Sequence, residues 1–114
     1  MSIMQVTAGL KAHAAIAKAA FGGATQLALI RGADDVVLPQ LTRSLDDVAR
    51  SLGVLASRDA QVVIGPGVNF ATDALRSVKL LGTQARSGIA PKADSFASAG
   101  QLISRIASRI DALV

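Results

Sequence analysis

The chain contains no cysteine, tryptophan, tyrosine or glutamate. Without cysteine there is no disulfide scaffold, no thiolate-ligated zinc and no thiol nucleophile. With glutamate absent, all eight acids are Asp, and only one histidine, His13, is present. That removes most constellations for acid–base or metal chemistry. Aromatics amount to 3%, three Phe in all, so no aromatic series interleaves the cations to stack single-stranded bases. Ten serines are present, none in a Gly-x-Ser-x-Gly context. The sequence reads as non-enzymatic, with no cofactor or metal.

What fills the chain instead is alanine, 22 of 114 residues, within a hydrophobic fraction of 51% and a charged fraction of 18%. This is too apolar for a disordered segment, and the length corresponds to one domain, residues 1–114. Burial contributes about 25 cal/mol per Å² of apolar area, and alanine offers little area. Helices built from it must pack closely or bury more surface against another subunit. The net charge of +4 weakly favours an anionic partner.

No basic residue precedes Lys11, so a cleavable signal is not expected. The longest uncharged stretch near the start, Ala19 to Ile30, is 12 residues, short of the roughly 20 apolar residues of a membrane span.

Periodicity predicts an all-α chain of four helices, at about 5–31, 35–59, 69–87 and 95–113, joined by Gly/Pro turns. In the first, Leu10, Ala14, Ala17, Phe21, Ala24 and Ala28 form one face, with Lys11, Lys18 and Thr25 on another. Thr7 is a candidate cap, Gly22-Gly23 a candidate bend, and Gly32 a terminator. In the second, Leu38, Leu41, Leu45, Val48, Leu52 and Leu55 step 3, 4, 3, 4, 3, a heptad seam. Its outer face holds Arg43, Asp46, Asp47 and Arg50, which can neutralise one another. Pro39 fits only near its start.

Gln61-Val62-Val63-Ile64 reads as a short extended piece and Gly65-Pro66-Gly67 as a turn. A strand, a Gly-x-Gly turn and a helix is also how dinucleotide loops begin, but the third glycine is missing and Pro66 removes an amide donor. Asn69 is the expected cap of the third helix, and Gly88-Ile89-Ala90-Pro91 its end. The fourth begins after Asp94 or Ser95. Its seam, Phe96, Ala99, Ile103, Ile106, Ile110 and Leu113, again steps 3, 4, 3, 4, 3. A faint echo at an offset of 26, Asp47–Leu55 against Asp73–Leu81, shares only Asp, Arg, Ser and the last Leu.

The paired carboxylates Asp34-Asp35 and Asp46-Asp47 read as helix-start charge and as partners of nearby arginines. The favoured function is a self-associating helical subunit of a larger assembly, a compact bundle or an opened-out oligomer. Its seams are Leu41, Leu45, Val48, Leu52 and Leu55 with Phe96, Ile103, Ile106, Ile110 and Leu113. The alternative is a small basic binder of nucleic acid or lipid, using Arg76, Lys79 and Arg86 on one helix and Arg105 and Arg109 on the next. A third surface, residues 8–30, would rest on a membrane with Leu10, Phe21 and Ile30 inserted.

Overall fold

A computed structural model describes residues 3–31, 37–89 and 92–113. Five helices follow one another: α1 (Ile3–Arg31), α2 (Val37–Leu55), α3 (Arg58–Ile64), α4 (Val68–Arg86) and α5 (Ala93–Asp111). A single 3-10 turn, Gly65–Gly67, joins α3 to α4. The four long helices form an all-α bundle, and no strand occurs among the described residues.

Neighbours in sequence are neighbours in space, and they run antiparallel. Gly82 of α4 lies against Leu45 of α2, and Arg86 reaches Asp46. Gly67, just before α4, lies against Arg109 near the end of α5, and Gly100 of α5 against Phe21 of α1. The ring therefore closes as α1, α2, α4, α5 and back to α1, an up-down-up-down arrangement. The molecule measures 45 × 21 × 19 Å, matching α1, whose 29 residues span about 43 Å. The small α3 packs against α1 at the end where α2 stops and α4 begins.

The core consists of the faces expected on α1, α2 and α5, with Ala28 only half-buried, and of a row from α4. Leu10, Ala14, Ala17, Phe21 and Ala24 of α1 are buried, as are all six members of the α2 seam. Ala71, Ala74, Val78, Leu81 and Ala85 come from α4, and Phe96, Ala99, Ile103, Ile106 and Ile110 from α5. Phe21 and Phe96 meet with ring centroids 5.6 Å apart and planes tilted by 34°, within the range of favourable aromatic pairs. Leu113, expected to extend the last seam, is only half-buried because α5 has already ended.

Several boundaries differ from expectation for local reasons. The second helix stops at Leu55 rather than Asp59 because Ser57 is extended (φ −72°, ψ 166°) and its Oγ accepts the backbone N–H of Ala60 at 3.2 Å. That cap starts α3, so Gln61–Ile64 is helical and not extended. Ala60 and Ile64, four apart, both turn inward, while β-branched Val62 is exposed. Gly22-Gly23 does not break α1. Both glycines face outward, and the inner row of Ala17, Phe21 and Ala24 is buried on either side of them.

Thr7 is not a cap, since α1 is already helical from Ile3. Asn69 is not one either. The 3-10 turn runs straight into α4, with the Val68 amide donating to the carbonyls of Gly65 and Pro66. Lys92, not Asp94 or Ser95, holds the capping position of α5, which places Asp94 in the first turn at the positive end of the helix dipole. Pro39 does sit in the first turn of α2. Gly32, Asp34, Asp35, Ala90 and Pro91 lie outside the described residues.

The close of α4 is a Schellman arrangement. The Ile89 amide donates to the Gln84 carbonyl and Gly88 to Ala85, with Gly88 at φ +76°. Threonines inside the helices return their hydroxyls to the carbonyl four residues back, as Thr42 does to Leu38 and Thr72 to Val68.

Two substitutions of opposite sign test this packing in urea titrations. Leu52→Ala, which empties a fully buried site, is expected to cost about 2–5 kcal/mol. Gly23→Ala, where an added Cβ meets nothing within 4 Å, is expected to add roughly 0.5–1 kcal/mol.

Candidate functional site

The structure buries nine of the ten candidate seam residues inside a single chain, Leu113 being half-buried. Leu41, Leu45, Val48, Leu52, Leu55, Phe96, Ile103, Ile106 and Ile110 are all buried without any partner molecule. A bundle that keeps this fold therefore has to associate through other surfaces. The side chains expected to enter a membrane are also taken up, since Leu10 and Phe21 lie in the core and the Ile30 side chain is outside the described part. Among the described residues, no helix is long and apolar enough to cross a membrane.

The candidate cations separate into two sets. Arg76 pairs with Asp73 one turn back at 3.8 Å, and Arg86 crosses to Asp46 of α2 at 3.2 Å. These are solvent-exposed pairs, and they contribute little stability. Lys79 has no ion pair among the described residues. The α4 stripe is thus largely matched by acids, one of them from Asp46-Asp47, whose other member binds Arg50 at 3.5 Å.

Arg105 and Arg109 are different. Among the described residues neither meets a carboxylate, and both lean on the Phe70 ring, with guanidinium carbons 5.7 and 5.5 Å from its centroid. Those distances permit cation–π attraction. An open concavity of about 440 Å³ beside them is lined by Phe70, Ser104, Arg105, Ser108 and Arg109. Sequence reading selected the two arginines by their four-residue spacing. It missed Phe70, which reaches them from another helix.

A second surface went unread in the sequence. On α1, opposite the core, Ala8, Ala12, Ala15, Ala19, Gly22 and Gln26 step 4, 3, 4, 3, 4 and are all exposed. This stripe is uncharged and nearly all small residues. Lys11 and Lys18 stand to one side of it, and Ile16, 49% exposed, to the other. Between α1 and α5 runs an open groove of about 870 Å³, bordered by Gly22, Gln26, Leu29, Ala97 and Gly100, with Ser104 and Arg105 at one end. The outward faces of the other long helices carry charge, for example Arg43, Asp47 and Arg50 on α2.

His13 is half-buried beside a small cavity of about 200 Å³ between α1 and the end of α2, which Ser57 and Asp59 also line. Its Nδ1 is buried with no hydrogen-bond partner. No group of three His, Asp or Glu side chains suited to a metal occurs among the described residues. Comparison with protein-family models, with curated proteins and with solved structures finds no match to this chain.

An unpartnered buried polar atom costs roughly 1–3 kcal/mol. His13→Leu is therefore expected to raise the urea midpoint. A lowered midpoint would mean that the imidazole has a stabilising partner.

Proposed function

We propose that this protein acts by contact and not by catalysis, pairing with a second copy of itself through the face formed by α1 and α5. The observation that carries this reading is the outward stripe of α1, from Ala8 to Gln26, which is exposed and uncharged along its whole length. Small side chains let another helix approach closer than the usual 8–10 Å between axes. Exposed Ile16 and Leu29 add larger apolar contacts at its edges.

Area favours a second copy as the occupant. A stable pair buries about 800 Å² per partner. One face of the bundle, 45 Å long and about 20 Å wide, is of that size. A second copy offers an equally long face, self-complementary about a two-fold axis, whereas one lone helix would cover only half of it. On this reading the leucine and isoleucine seams hold each subunit together, and the small-residue face joins the subunits.

The test is molar mass by light scattering coupled to size exclusion. The wild type is expected at twice 11.6 kDa, and Ala19→Arg at the single-chain mass with an unchanged far-UV spectrum. Arginine suits an exposed helix nearly as well as alanine, so folding is not at stake. A wild type that stays at the single-chain mass at its highest soluble concentration refutes the reading.

A further inference from the structure

The Phe70 concavity supports a second activity on a surface adjoining the pairing face, with which it shares Ser104 and Arg105, while Phe70, Ser108 and Arg109 belong to it alone. We infer that Arg105 and Arg109 form a binding site for a small phosphorylated molecule, held by its terminal phosphate or diphosphate.

Arg105 and Arg109 are four apart on α5, where like charges disfavour the helix. Both guanidinium carbons lie within 6 Å of one ring centroid. The two charges thus share one aromatic ring and stand no more than about 11 Å apart, close to the Debye length at 0.1 M salt. Among the described residues no carboxylate reaches either one. The aromatic face offsets part of that repulsion, and an anion would remove the rest.

The lining then selects the ligand. Besides Phe70 it consists of two guanidinium forks and the Ser104 and Ser108 hydroxyls, with no acid. Each fork takes two acceptor oxygens in parallel. Two forks and two hydroxyls ask for more acceptors than one carboxylate has, and a phosphate or diphosphate supplies them. The size, about 440 Å³, falls within the range of small-molecule sites. A polyanion would need a longer track of free cations, and Arg76 and Arg86 are occupied by Asp73 and Asp46.

One backbone feature ties the arginines to their place. A Cβ at Gly67 would stand 2.7 Å from Cδ of Arg109, so the stem of Arg109 occupies room that only glycine leaves open. Gly67 has helical φ and ψ (−57°, −23°). Alanine there displaces the arginine without straining the backbone.

The experiment is a titration of the ¹⁵N-labelled chain with pyrophosphate at low ionic strength, followed on the arginine Nε–H resonances and by calorimetry. Saturable shifts are expected at Arg105 and Arg109 and not at Arg76. Arg109→Gln should weaken binding roughly tenfold or more, as loss of a charged hydrogen-bonding partner does. Gly67→Ala should also weaken it, without lowering the thermal midpoint. Unsaturable shifts, shifts of equal size at Arg76, or full affinity in Arg109→Gln would each overturn the assignment. So would a duplex oligonucleotide that binds more tightly than pyrophosphate and moves Arg76 and Lys79 as well.

Discussion

The bundle depends on how closely α1 can approach its two neighbours. Its inner row alternates small and large residues. Ala14, Ala17 and Ala24 are essentially inaccessible, and the Phe21 ring reaches 3.4 Å from where a Cβ would stand on Gly100. Alanine on one helix faces larger side chains on the next, so leucines from α2 and isoleucines and Phe96 from α5 fill the space that α1 leaves. Interiors pack at crystal-like density, and a chain with three aromatics reaches that density only by bringing backbones together. The closed ring follows from this fit. Without α1 between them, the apolar seams of α2 and α5 would be left partly open to water.

Much of that ring was legible as periodicity. The 3, 4, 3, 4, 3 steps of Leu38–Leu55 and Phe96–Leu113 mark two buried faces, and the row on 10–28 marks a third. The stretch from Ser57 to Gly67 was not. Its β-branched run favours extended backbone, yet one serine hydroxyl accepting from Ala60 turns it into a helix. Such a single cap outweighs weak propensities over seven residues. The seams also carried no information about whether they close within one chain or between chains. A heptad pattern specifies a mating surface, not its owner.

The surfaces were legible in part. Spacing found Arg105 and Arg109, while their grouping over Phe70 depends on the crossing of α4 with α5, a relation between residues 35 or more apart in sequence. The same spacing found Arg76 and Arg86, but not that Asp46 of the neighbouring helix pairs with Arg86. The bare outer stripe of α1 was hidden for a simpler reason. Alanine is the best helix former, so an alanine-rich stretch shows little amphipathic contrast. Leu10 and Phe21 mark the row that holds Ala17, but no residue type marks the row that holds Ala19 as a surface of its own.

The central claim is that these rows meet within one polypeptide. The chain has three Phe and no other large aromatic, which leaves the Phe21–Phe96 contact at 5.6 Å well separated in NMR spectra. The direct measurement is an isotope-filtered NOE experiment on labelled and unlabelled chains refolded together. The account predicts that every Phe21–Phe96 cross-peak arises within a labelled chain, and that none passes from labelled to unlabelled chains. Cross-peaks between chains for this pair would show that the helices exchange partners, and would contradict it.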